Sequence, residues 1–136
     1  MYARPAHCVQ TTDPLRLVMV WPVAVFEAEA TMIEVADALA ADEIGALCVT
    51  ENGVLAGIVS ERDVVAHVAA GADPENLTAA EMMSTDLVTV TPDDTVLDAA
   101  KRMQESQIRH LPVLLGDDIA GIVSMRDIFD ALVAAG

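Results

Sequence analysis

Aromatic residues are nearly missing from this chain: one Trp, one Tyr and two Phe stand among 136 residues. A groove that stacks nucleobases needs several such rings, so a single-stranded nucleic-acid surface is not expected. Cationic residues are also scarce, with seven Lys and Arg against 22 Asp and Glu, for a formal net charge of −15. Such a field repels DNA, RNA and anionic lipid headgroups, and any phosphate site must be locally basic. The two cysteines, Cys8 and Cys48, make no disulfide framework and no C-x-x-C pair. Cys48 lies inside an apolar strand pattern and reads as a small buried hydrophobe. The N-terminus shows no basic-then-apolar signal, and no apolar run approaches a membrane span. A cytoplasmic protein without a membrane partner is the expectation. A Ser-His-Asp set, a glycine-rich phosphate loop and zinc-ligand spacing are all missing, and His7, His67 and His110 share no spacing that suggests a metal. Catalysis and a bound metal are therefore not expected.

What the chain does have is a repeat. Gly57-Ile58-Val59-Ser60-Glu61-Arg62-Asp63 returns as Gly121-Ile122-Val123-Ser124-Met125-Arg126-Asp127, an offset of 121 − 57 = 64 residues. Upstream, Thr31 falls on Thr95, Ile44 on Ile108, Leu47 on Leu111 and Val49 on Val113. Duplicated units of this size pack on each other and leave two related clefts, which favours a binding module over an enzyme. A chain this long should bury roughly two-thirds of its unfolded surface. Its core should be aliphatic.

Each unit reads β-α-β-β-α. In the first, the spacing predicts a strand at 23–26 and a helix at 31–41 with Met32, Val35, Ala36 and Leu39 inward. A hairpin of 46–50 and 54–59 turns at Asn52-Gly53, and a closing helix runs over 61–70. In the second, Thr78-Ala79-Ala80-Glu81 has the form of a capping box, and 87–91 a short strand. A helix follows from Asp94 or Thr95 with Val96, Leu97, Ala100 and Met103 inward, then a hairpin of 110–115 and 119–124, and a helix over 125–134. The strands are almost continuously apolar, as in sheets covered on both faces. The expected class is α+β. The expected divisions are an irregular, loosely held leader at 1–14, a first domain at 15–73 and a second at 74–136. Lys101 and Arg102 read as a solvated face, Asp93-Asp94 and Asp117-Asp118 as cap and turn residues. Trp21 is open to two roles, shielding the first cleft or sealing a dimer.

Chemistry concentrates where Gly-Ile-Val-Ser runs into a helix beginning x-Arg-Asp. The first turn of a helix presents unpaired N–H groups and a positive dipole end. Ser60 and Ser124 bring a hydroxyl, Arg62 and Arg126 a forked donor suited to phosphate, and Asp63 and Asp127 two acceptor oxygens suited to vicinal ribose hydroxyls. The plain alternative is a helix cap, with Ser at N-cap and Asp at N3. The two readings are compatible.

Gly-Ile-Val-Ser-x-Arg-Asp, present twice after an Ile-x-x-Leu-x-Val strand, resembles the cystathionine-β-synthase (CBS) domain pair, or Bateman module. Val90-Thr91-Pro92-Asp93 and Arg109-His110-Leu111-Pro112-Val113 strengthen the likeness in the second repeat. The resemblance implies pseudo-two-fold symmetry, sheets packed together and flanked by helices, and clefts for adenosine-containing ligands such as AMP, ADP or ATP. It also implies a homodimer and a regulated partner protein. It places Leu87, Val88, Arg109, His110, Leu111, Ile122, Ser124, Arg126 and Asp127 at the second cleft. At the first it places Val23, Ala24, Ala46, Leu47, Ile58, Ser60, Arg62 and Asp63. The first repeat departs from the pattern: Gly45-Ala46 replaces Arg109-His110 and removes positive charge. Phosphate is therefore expected at the Asp127 cleft, and an uncharged adenosyl group or nothing at the Asp63 cleft. The rival expectations are an adaptor whose clefts stay empty and a metal-dependent nucleotide hydrolase.

Overall fold

Five helices in this chain begin the same way. The computed structural model describes residues 9–42 and 44–134. Its elements are a 3-10 turn (Leu15–Leu17), β1 (Val25–Glu27), α1 (Met32–Ala41), β2 (Ala46–Glu51), β3 (Val54–Ser60), α2 (Glu61–Ala69), α3 (Ala79–Met82), α4 (Val96–Ser106), β4 (His110–Leu115), β5 (Asp118–Ser124) and α5 (Met125–Val133). Thr31, Ser60, Thr78, Thr95 and Ser124 are the N-caps of α1 to α5, and each forms a full capping box with the acid three residues on. Each such cap is worth about 1 kcal/mol.

Both hairpins are antiparallel and identical in register, with an irregularity at Val49/Thr50 in one and at Val113/Leu114 in the other. In the first, Asn52 and Gly53 both take positive φ, as an Asn-Gly turn requires. β1 lies parallel to β2. The expected strand at 87–91 shrinks to a single parallel bridge between Val90 and Val113. Thr91 N–H is drawn instead to Asp94 Oδ2 at 2.8 Å, which turns the chain away.

The described residues fall into two compact units, 24–87 and 9–23 with 88–134. They are not the two sequential halves. The segment ahead of β1 packs with the second repeat, and α3 packs with the first. Val20 exchanges both backbone hydrogen bonds with Ile122, at 2.8 and 3.0 Å, and Ser84 does the same with Ile58, at 2.9 and 3.1 Å. Residues 20 and 84 are equivalent, 84 − 20 = 64, so each repeat lends its leading segment to the other. The side chains agree. Val9, Leu15, Val18 and Met19 join the core of Val96, Met103, Leu111, Val113, Val123 and Ile128. Ala79 and Met82 join the core of Met32, Val35, Leu39, Leu47, Val49 and Val59.

The described part of the expected leader is thus not loose. Val9 is buried, and Thr11 and Asp13 carbonyls accept from Leu97 and Val96 N–H groups, both at 2.9 Å. Residues 1–8, with Tyr2, His7 and Cys8, lie outside the described residues. Leu97, expected inward, is exposed: α4 buries Val96, Ala99 and Met103, and Leu97 stands about 100° around the helix from Val96. Cys48 is buried as expected, and burial pushes its thiol up to about 11. Among the described residues no helix is long and apolar enough to cross a membrane.

Candidate functional site

The two Ser-x-Arg-Asp corners have the same geometry. Asp63 Oδ2 accepts from Ser60 N–H at 2.8 Å and from the Ser60 hydroxyl at 3.0 Å, and Ser60 Oγ accepts from Asp63 N–H at 3.2 Å. Asp127 Oδ2 accepts from Ser124 N–H at 2.9 Å, and Ser124 Oγ accepts from Asp127 N–H at 3.0 Å. The capping reading is therefore true of both. It accounts for the motif without a ligand, because Thr31–Glu34, Thr78–Glu81 and Thr95–Asp98 make the same box elsewhere.

The cap nevertheless takes only one carboxylate oxygen. Oδ1 of Asp63 and of Asp127 makes no hydrogen bond within the described residues, and both side chains are half-exposed. Arg62 and Arg126 are exposed and form no ion pair there. The N–H of the first residue of each helix is spent on the residue just before the opposite hairpin strand: Glu61 N–H on Gly45 O and Met125 N–H on Arg109 O, both at 2.9 Å. The second helical residue, Arg62 or Arg126, keeps an uncapped N–H, as a helix start must.

Strand register gathers the rest. Ala46 faces Ser60 and His110 faces Ser124, while Ile58 faces Cys48 and Ile122 faces Pro112. Arg109, His110, Ser124, Arg126 and Asp127 thus share one corner; Ala46, Ser60, Arg62 and Asp63 share the other. Leu47 and Leu111 are fully buried core residues, so only their backbones can meet a ligand. Ala24 joins the Asp63 corner through its carbonyl, which accepts from Cys48 N–H at 3.1 Å. Val88 packs against the core of the unit that holds Asp127. Val23 is grouped with the unit that holds Asp127, and Leu87 with the unit that holds Asp63.

Sequence reasoning missed Val20 and Ser84, which lie directly beside Ile122 and Ile58. The repeat register marks them as equivalent but does not say which repeat each joins. Trp21 is half-exposed and follows Val20 within the unit that also holds Asp127. Arg102, half-exposed, is also tied down. It donates to Thr89 O at 3.1 Å and to Asp94 Oδ2 at 3.2 Å, clipping the Val90 segment to the start of α4. His67 Nδ1 lies 2.8 Å from Asp63 O, and since a carbonyl can only accept, that nitrogen carries a proton. Among the described residues no three His, Cys, Asp or Glu come together to hold a metal.

The units differ sharply in charge. By sequence, 24–87 holds 13 acids and one base, a net −12. The remainder holds nine acids and six bases, a net −3. The corner with Arg109 and His110 is also the one in the less acidic unit.

A family model described as the CBS domain matches residues 9–70 and 79–134. The CBS domain-containing protein YhcV of Bacillus subtilis is 33% identical over 110 residues, covering 81% of this chain and 79% of that protein. The chain spans about half the length of some other curated relatives. The solved CBS-domain protein ATU1752 from Agrobacterium tumefaciens superposes with a TM-score of 0.75 at 32% identity, covering 82% of this chain and 90% of that one. The CBS domain pair of protein MJ0100, solved with 5-methylthioadenosine and S-adenosyl-L-methionine, superposes with a TM-score of 0.79 at 23% identity, covering 87% and 94%. At that identity the likeness is one of fold. Two matched stretches, two capped Ser-x-Arg-Asp corners and these superpositions agree: the chain belongs to the CBS-domain family and carries the domain as a tandem pair.

Proposed function

We propose that this CBS pair is a non-catalytic, cytoplasmic regulatory module that binds an adenine nucleotide or adenosyl compound at the Asp127 corner. The observation that carries the reading is the half-used carboxylate. Asp127 Oδ2 is committed to the helix start while Oδ1 stays open, so the cap itself holds an acceptor in place for ribose hydroxyls. Arg126 and Arg109 supply the positive charge a phosphate needs in a chain of −15, and His110 adds a ring nitrogen beside them. The Asp63 corner lacks the equivalents of Arg109 and His110 and lies in the unit of −12. It suits an uncharged adenosyl group, or stays empty. The fold's record of holding adenosyl ligands in MJ0100 supports the class of ligand. Binding biases the arrangement of repeats or of subunits in a homodimer, and a partner protein reads that bias; a coupling of about 1–3 kcal/mol is normal for such an effect.

The test is calorimetry and thermal shift with AMP, ADP, ATP, 5-methylthioadenosine and S-adenosylmethionine. Asp127→Ala should weaken nucleotide binding more than Asp63→Ala; equal losses, or a larger loss at Asp63, refute the assignment. Ligand should raise Tm by mass action, about 2.7 kcal/mol of stabilisation at a hundredfold excess over Kd. A flat screen across all five compounds favours the adaptor reading, whose specific support is that Ser-x-x-Asp is a capping box like those at the other three α-helix starts among the described residues.

A further inference from the structure

Met19 and Met83 hold the same place in the repeat, 83 − 19 = 64. Each stands one residue ahead of the bridge that ties a leading segment to a hairpin, Val20 on Ile122 and Ser84 on Ile58. Each lays its thioether over the glycine that opens Gly-Ile-Val-Ser. Sδ of Met83 closes the space beside Gly57, and Sδ of Met19 closes the space beside Gly121. A side chain on either glycine would displace the methionine, so sulfur and backbone are in direct contact.

The two methionines differ in access. Met19 is 9% exposed and part of its core, whereas Met83 is only partly buried and packs against the core of Met32, Leu47 and Val59. Met32, Met82 and Met103 are at most 3% exposed, and Met125 is 39% exposed at the start of α5. Met83 therefore combines reach from solvent with a contact that seats a tertiary bridge.

We propose that Met83 is a site of reversible oxidation, and that its sulfoxide releases the leading segment of the second repeat from β3. The oxidant is a hydroperoxide. A sulfur lone pair attacks the outer peroxide oxygen, the O–O bond breaks as the S–O bond forms, and the sulfur gives up two electrons. The departing oxygen takes a proton, and with hydrogen peroxide the by-product is water. A soft apolar group becomes a polar, chiral one. Gly57 has no side chain to donate to the new oxygen, so that oxygen is satisfied by swinging out to water, and Met83 leaves its seat. The adjacent bonds loosen with it: Ser84 N–H to Ile58 O at 2.9 Å and Ile58 N–H to Ser84 O at 3.1 Å. A dithiol-dependent sulfoxide reductase restores the thioether, as two thiols become a disulfide and the oxygen leaves as water. Met19, equivalent but shielded, keeps its own segment in place, so one of the two exchanged segments responds to oxidant and the other does not. The modification is independent of ligand at either corner.

The test treats the protein with limiting hydrogen peroxide in a Cys8→Ser background, where Cys48 is buried, and follows each site by mass spectrometry. Met125 should oxidise first and leave the fold unchanged. Met83 should follow, roughly tenfold ahead of Met19, Met32, Met82 and Met103. Oxidation of Met83 should lower Tm by about 3–8 °C. It should also speed amide exchange at Ser84 and Ile58 roughly tenfold, while Val20 and Ile122 keep their protection. Sulfoxide reductase with dithiothreitol should restore both. Met83→Leu should hold its Tm through the same treatment; where that variant folds poorly, Met125→Leu serves instead and should leave the fall in Tm intact. Oxidation of Met83 only in step with the buried methionines overturns the proposal, as does unchanged exchange at Ser84 once Met83 is oxidised. A fall in Tm that Met125→Leu removes assigns the effect to α5 and overturns it as well.

Discussion

The exchange of leading segments makes a sharp prediction at two glycines. A Cβ on Gly57 would lie 2.5 Å from Met83 Sδ and 2.9 Å from Met83 Cβ. A Cβ on Gly121 would lie 2.9 Å from Met19 Sδ and 2.9 Å from the backbone oxygen of Val20. Neither glycine has a positive φ, so space alone decides. Overpacking of this kind costs about 1–3 kcal/mol, and the reduced freedom of the unfolded chain returns about 0.4–1 kcal/mol. Gly57→Ala and Gly121→Ala should each destabilise by about 1–2 kcal/mol, a fall in Tm of roughly 3–8 °C. The decisive measurement is a double-mutant cycle by urea denaturation. Met83→Ala should relieve much of the effect of Gly57→Ala, because it removes Sδ and Cγ, while the Met83 Cβ at 2.9 Å stays. Met19→Ala should leave the Gly57→Ala effect unchanged and relieve Gly121→Ala only in part, since Val20 O is held by the Ile122 N–H at 3.0 Å. Were Met19→Ala to rescue Gly57→Ala, each leading segment would sit on its own repeat and the exchange would be wrong. Neutral glycine variants would refute the close approach itself.

Other outcomes follow from the caps, the core and the surface. Hydrogen bonds from Thr31 backbone and then side chain hold Glu34 below its ordinary range, and the same two groups of Thr95 lower Asp98, with Arg102 and Lys101 adding to it. A carboxylate lowered on folding stabilises above its unfolded pKa, near 4, and that contribution is lost as pH falls through the folded value. Asp98→Ala should therefore show a shallower decline of Tm from pH 5 to pH 2.5, to order of magnitude the carboxylate window, than the unsubstituted chain; parallel declines refute it. With Cys8→Ser, the native protein at about pH 8 should resist a disulfide reagent until guanidinium unfolds it, because a thiol near 11 holds little thiolate. Rapid native labelling would contradict the burial. Arg102→Ala should cost about 1 kcal/mol through its bonds to Thr89 and Asp94, whereas Arg16→Ala, at a more exposed pair with Asp93, should cost about 0–0.5 kcal/mol. Equal melting temperatures would count against the clip.

Much of the fold is legible along the chain because its signals are local. Thr or Ser followed three residues later by an acid places every helix start. Asn52-Gly53 places one hairpin turn, and the apolar stripe of Met32, Val35 and Leu39 marks the buried side of α1. Leu97 was misplaced because its neighbour Ala99, a small residue with a weak apolar signal, holds the core line of α4. The two bonds of half-exposed Arg102 were not legible because its acceptors, Thr89 O and Asp94, arrive through a loop. The site was legible only in part. Ser-x-x-Asp reads equally as a cap and as a ribose clamp, and its geometry here satisfies the first while leaving one oxygen for the second.

The sequence by itself determined the duplication, the order of elements, the helix caps and the charge difference between the two corners, since each depends on residues a few positions apart or on composition. Only the tertiary structure decided which leading segment joins which repeat. Residues 20 and 84 stand in identical register, so Ile58 and Ile122 are equally good strand partners for either, and the choice lies in long-range packing: Leu15, Val18 and Met19 fill the core beside Val123, and Ala79 and Met82 fill the one beside Val59.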